Sequence, residues 1–131
     1  MRTRSNLSAN ADEIFSVLQV VARPLTAYQI LHELEGTTIK APVQVYRALS
    51  QLMTSGKVHR VESLNAFVLC DRHHATSRPG FLICKHCGTV QEFDDEAIDE
   101  ISSRLAGAGF EVENLSLEVS GLCVACRSEA V

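Results

Sequence analysis

No apolar run in this sequence approaches the roughly 20 residues needed to span a bilayer; its apolar stretches are short blocks such as "FVLC" and "FLIC". The opening "MRTRSNLSANADE" has no apolar block of the kind a signal peptide requires. Both absences lead to the expectation of a cytoplasmic protein, and that has a redox consequence. Cytosolic thiols stay reduced and five cysteines are an odd number, so the default reading is metal ligation or a reactive thiol rather than a disulfide framework. Internal repeats are absent beyond a paired C-x-x-C, and so is low complexity. With 46% apolar and 21% charged residues in 131, what remains is an ordered globular chain, one mid-sized domain or two small ones.

Charge is unevenly spread. Residues 1–69 carry seven Lys and Arg against five Asp and Glu, whereas residues 70–131 carry five against eleven. The first half is therefore suited to approach a polyanion and the second is not.

Helical periodicity comes first. In residues 10–22, Ile14, Val17, Leu18 and Val21 share a face, with Asn10 or Asp12 available as cap. In "RPLTAYQILHELEG", Thr26 is a cap candidate, Ile30, Leu31 and Leu34 form the apolar face, and Gly36 is a stop. A third helix starts at Pro42 and ends before Gly56, with Val45, Leu49 and Leu52 inward; Gln44, Arg47 and Gln51 recur on its other side, a cation and two amides suited to base edges. "KVHRVE", a turn at "SLN" and "AFVLC" then read as a β-hairpin. Three helices followed by a hairpin is the order of a winged helix-turn-helix, whose third helix enters the major groove of double-stranded DNA.

"DRHHATSRPG" has no apolar period and reads as a hinge. Beyond it, "FLIC" and "TVQEF" are predicted strands. A helix follows in "DDEAIDEISSRLAGAG", capped by Asp94 with Ile98, Ile101 and Leu105 inward, and then a strand with Leu115, Leu117 and Val119 on one side. The resulting ββαβ unit is small enough to need a metal, a disulfide or a partner subunit.

Cys84, Cys87, Cys123 and Cys126 supply the ligands for a metal. Two C-x-x-C pairs, one after the first strand of the unit and one after its last, have the spacing of a tetrahedral structural zinc site. A thioredoxin-like redox motif needs only one such pair. A zinc deaminase needs H-x-E and P-C-x-x-C, which are absent, so no enzymatic role is expected. A second set offers N, S, N and O ligands: His59 in the hairpin, Cys70 at its end, His73 and His74 in the hinge, and Glu92 after the first zinc turn. Ligands from two units make metal binding an orienting event, as in a sensor. His32 and His86 fall outside both sets.

The stretches "LTAYQIL", "APVQVYRALSQLMTSGKVHRVESLNAFVLC", "FLICKHCGTVQEF" and "GLCVAC" resemble the ferric uptake regulator superfamily, and within it the branch of zinc uptake regulators. The resemblance implies an α+β chain: a winged helix-turn-helix domain over 1–69, a hinge over 70–80, and a small α/β dimerisation domain with a four-cysteine structural zinc over 81–131. It implies a homodimeric, zinc-responsive transcriptional repressor of zinc uptake genes, with about two zincs per protomer. Tyr28 and Arg47 correspond to base-contacting positions, with Tyr46 beside them. His59, Cys70, His73 or His74, and Glu92 correspond to the regulatory zinc ligands. Many relatives carry a histidine cluster directly before the first C-x-x-C, whereas "RHHATSRPG" places both histidines farther upstream, which speaks against iron or peroxide sensing through that cluster. The alternatives are a family regulator of iron or manganese and a non-regulatory zinc-ribbon interaction protein.

Overall fold

The first helix begins at Ser8, whose hydroxyl accepts the N–H of Ala11 at 3.2 Å, in a computed structural model that describes residues 8–70 and 79–129. Asn10 and Asp12 lie inside that helix rather than at its cap, because a serine two residues before Asn10 already satisfies one of the first free N–H groups. The chain divides into two units, Met1–Cys70 and Asp71–Val131. Most of the expected hinge, with His73 and His74, lies outside the described residues.

In the first unit, α1 (Ala9–Val21), β1 (Leu25–Thr26), α2 (Ala27–Glu33) and α3 (Pro42–Thr54) precede a hairpin of β2 (Val58–Val61) and β3 (Ala66–Leu69). Thr26 caps α2 as expected, in a reciprocal box with Gln29: Thr26 Oγ1 accepts the Gln29 N–H at 3.2 Å and Gln29 Oε1 accepts the Thr26 N–H at 2.8 Å. Pro42 opens α3, and Gly56, at φ 78°, lies just beyond its end in a conformation that favours glycine. Ile14, Leu18, Leu25, Ile30, Val45, Leu49, Leu52 and Phe67 are buried in one cluster. Each side chain of this size stabilises the fold by about 1.5–3 kcal/mol when fully buried.

The hairpin turn is a 3-10 turn over Glu62–Leu64 closed by Asn65 at φ 51°, with Arg60 Nη2 donating to Asn65 Oδ1 at 2.8 Å. Asparagine tolerates that left-handed position better than most residues. The sheet has the order β1-β3-β2, all antiparallel, with His59 opposite Val68. Two residues are too few for β1 to show a period of its own, so it is visible only through its pairing.

The second unit contains β4 (Gly80–Cys84), β5 (Val90–Phe93), α4 (Glu96–Gly107), β6 (Leu117–Gly121) and α5 (Val124–Glu129). Strand order is β5-β4-β6, with β4 antiparallel to β5 and parallel to β6. A parallel pair needs a crossover connection, and α4 lies within it. The cap of α4 is Asp95, whose Oδ1 accepts the Ala97 N–H at 2.8 Å, rather than Asp94. Only Ile98 of the expected apolar row is buried; Ile101 and Leu105 are 39% and 42% exposed. Val119 is likewise exposed beside its neighbour in register, Leu82, on the face of β4 opposite Phe81 and Ile83. Two helices and three short strands have too little surface to bury every apolar residue the sequence offers. Helix α5 was not expected, its six residues being dominated in sequence by the second cysteine pair.

Candidate metal centres and nucleic-acid interface

The parallel pairing of β4 with β6 builds the cysteine site. Cys84 is opposite Gly121 in register, so both strands deliver their cysteine pairs to the same end of the sheet. At the first pair the chain folds back tightly: the Gly88 N–H reaches Cys84 O at 3.0 Å and the Cys84 N–H reaches Thr89 O at 2.9 Å. Gly88, at φ 81°, supplies the left-handed step. The Lys85 N–H, donated to Gly121 O at 2.8 Å, ties this turn to the end of β6. All four sulfurs lie within 4.8 Å of one another, and Cys87 Sγ is 3.8 Å from Cys123 Sγ. A tetrahedron with metal–sulfur bonds of about 2.3 Å has edges of roughly 3.8 Å, so the spacing fits zinc.

Local hydrogen bonds prepare the sulfurs unequally. The N–H groups of Cys87 and Cys123 point at Cys84 Sγ, at 3.5 and 3.4 Å, and lower its pKa to about 5. The Thr89 hydroxyl, 2.9 Å from Cys87 Sγ, lowers the pKa of Cys87. Hydrogen bonding with Cys123, followed by burial, pushes Cys126 up to about 12. Ligation by all four therefore requires the proton on Cys126 to leave, the ordinary coupling of metal binding to proton release. Thr89 was not singled out from the sequence, although its place two residues after the second cysteine of the pair is the available signal.

His59 and Cys70 meet within the first unit. Val68 and Cys70 are two residues apart and share a face, and His59 is opposite Val68, so ring and thiol fall on the same side. Their ligand atoms lie within 4.8 Å. The Cys70 N–H is donated to Lys57 O at 2.9 Å, which continues the hairpin pairing past β3. Glu92, in β5 of the second unit, is a buried carboxylate, 4% exposed.

On α3, Val45, Ala48, Leu49 and Leu52 are buried, and the outward row is Val43, Tyr46, Arg47 and Ser50. Tyr46 is 41% exposed; Tyr28, in the first turn of α2, is 67% exposed. The amides expected beside Arg47 are engaged locally. Gln44 Oε1 accepts the N–H groups of Lys40 and Ala41 at 2.7 and 3.0 Å, capping the helix that begins at Pro42. Gln51 Oε1 accepts the Ser8 N–H at 3.0 Å. Bidentate reading of adenine uses both the oxygen and the nitrogen of an amide; Gln44, whose oxygen already accepts two bonds, reads a base in that way only after releasing one, whereas the oxygen of Gln51 keeps one acceptor site.

Helices closed by a β-hairpin, continued in the same chain by a four-cysteine unit, define a two-unit winged-helix metalloprotein. The chain belongs to the ferric uptake regulator family, whose sequence model matches residues 6–120. The zinc uptake regulation protein of Escherichia coli (strain K12) is 36% identical over 117 residues, 87% of this chain and 68% of that protein. The peroxide operon regulator of Bacillus subtilis (strain 168) is 32% identical over 111 residues, 79% of this chain and 72% of that protein. Among solved structures, a zinc uptake regulator in complex with zinc and DNA matches with a TM-score of 0.83 at 33% identity, covering 96% of this chain and 87% of that one. Holo XcZur matches at 0.80 and 33%, covering 93% and 86%.

Proposed function

We propose that this chain is a zinc-responsive, DNA-binding transcriptional repressor of zinc uptake genes, a regulator rather than an enzyme, acting in the cytoplasm as a homodimer. The observation that carries the reading is the His59–Cys70 pair on the hairpin that follows α3: an imidazole nitrogen and a cysteine sulfur poised within 4.8 Å on a DNA-binding fold. It is supported by the likeness to zinc uptake regulators over most of the chain. No helix among the described residues is long and apolar enough to cross a membrane.

In this reading residues 1–69 form the DNA-binding domain, 70–80 the hinge and 81–131 the dimerisation domain. Each protomer takes two zincs. The structural one is held by Cys84, Cys87, Cys123 and Cys126. The regulatory one is held by His59, Cys70, Glu92 and one of His73 and His74. A thiolate in the second set favours zinc over iron(II) or manganese(II), which prefer harder ligands. Metal held by residues on both sides of the hinge selects one orientation of the two α3 helices in a dimer, and operator half-sites about one DNA turn or a multiple apart select the same orientation. Arg47 takes a guanine edge, Tyr28 and Tyr46 lie at the DNA, and Gln44 and Gln51 flank the contact. The apolar residues left on the second unit, Leu82, Ile101, Leu105 and Val119, are surface for the second protomer.

Zinc content per protomer, measured before and after mild chelation alongside DNA affinity, tests this. Two zincs falling to one, with DNA binding lost and the dimer kept, is the expected result. One zinc throughout with unchanged DNA binding refutes the sensor and leaves the four-cysteine structural site standing. Cys70→Ser is expected to weaken zinc-dependent DNA binding while leaving the dimer intact, as sedimentation analysis would report.

A further inference from the structure

Val43 is the second residue of α3 and is 57% exposed. A β-branched side chain on an exposed helix position buries little area and is a poorer helix former than alanine, so folding gives no account of it. The buried stripe of Val45, Ala48, Leu49 and Leu52 fixes which way it faces. Val43 belongs to the same outward row as Tyr46, Arg47 and Ser50, three, four and seven residues further on. The neighbouring amides have their oxygens engaged with Lys40, Ala41 and Ser8. Val43 is thus the exposed side chain of the first turn of α3, and it is apolar.

We propose that Val43 is a specificity-determining residue that reads the C5 methyl group of a thymine in the major groove. This rests on the DNA-binding reading above. Residues near the N-terminal end of the groove helix in helix-turn-helix proteins face base edges, and thymine alone among the four bases presents a methyl group there. Arg47 lies four residues on, about 6 Å along the helix axis. At roughly 3.4 Å per base pair, the thymine falls about two base pairs from the guanine that Arg47 engages. Valine and arginine one turn apart thus form a two-letter reader, one letter by methyl contact and one by hydrogen bonds.

The test uses the zinc-loaded full chain. Duplexes are selected from a random-sequence pool, and the tightest binder is resynthesised with single thymines replaced by uracil, which removes only the methyl group. With the parent protein, uracil at one thymine per half-site is expected to weaken binding about fourfold, the effect of losing one buried methyl group. Val43→Ala is expected to bind the unmodified duplex more weakly by a similar factor, to be indifferent to that uracil, and to melt as the parent does. The inference is overturned if every uracil costs the variant as much as the parent, or if the variant binds the unmodified duplex as tightly. Should the zinc-loaded parent enrich no sequence at all, the DNA-binding reading fails and this inference falls with it.

Discussion

Replacing Cys84 by serine is expected to unfold the second unit while sparing the first. Among the described residues, the wholly apolar side chains buried in the second unit are Phe81, Ile83 and Ile98, with the sulfurs of Cys84 and Cys126 beside them. Three such side chains supply roughly 5–9 kcal/mol of gross hydrophobic stabilisation. Structural zinc in small domains contributes about 10–16 kcal/mol to folding, which makes the metal the larger of the two named favourable contributions. Cys84 is also the sulfur at which both C-x-x-C pairs point an N–H group, Cys87 from its own pair and Cys123 from the other. Its loss disturbs both halves of the site at once. The first unit has its own buried cluster, from Ala11 to Phe67, and owes nothing to the metal. Amide NMR spectra of parent and Cys84→Ser chains test this: the signals of Phe81, Ile83 and Ile98 are expected to collapse into the unfolded envelope while those of Ile14, Leu49 and Phe67 keep their dispersion. A variant that keeps both sets dispersed, with unchanged melting, refutes the argument that the metal holds the second unit together.

Arg47→Ala is expected to cost about 1–3 kcal/mol in operator affinity and to relax base preference at one position per half-site, with the melting curve unchanged because the side chain is exposed; competition binding with single-base operator variants reads both effects. Gly80→Ala is expected to destabilise the second unit by about 1–3 kcal/mol, since an added Cβ runs into the ring of Phe93, the residue opposite in register; an unshifted thermal transition would show that the ring moves aside freely. Thr26→Ala removes one half of the box with Gln29 and is expected to cost about 1 kcal/mol, measured by urea denaturation, with zinc content unaffected.

Much of the frame was legible from short-range signals. Thr26 as a cap, Pro42 as a helix start and Val45, Leu49 and Leu52 as a buried stripe are consequences of chemistry within one or two turns of helix, and the spacing within each C-x-x-C is local too. Where two nearby residues compete for one role, the pattern is less decisive: Ser8 caps α1 instead of Asn10 or Asp12, and Asp95 caps α4 instead of Asp94. A shift of one or two residues changes which oxygen meets a free N–H without changing the composition of the window.

Tertiary structure decided what depends on distant partners. Cys87 and Cys123, 36 residues apart, come within 3.8 Å because β4 and β6 run parallel and end together. Nothing local to either pair encodes that arrangement. Gln51 has the residue type and spacing of a base reader, and its oxygen also meets the Ser8 N–H at the start of α1, a partner far away along the chain. Ile101, Leu105 and Val119 have the periodicity of buried residues and remain exposed, because periodicity records which face is apolar and not whether anything covers it. Cap, turn and ligand spacing are properties of neighbours along the chain, whereas the meeting of cysteine pairs, the engagement of an amide and the covering of an apolar face are properties of neighbours in space.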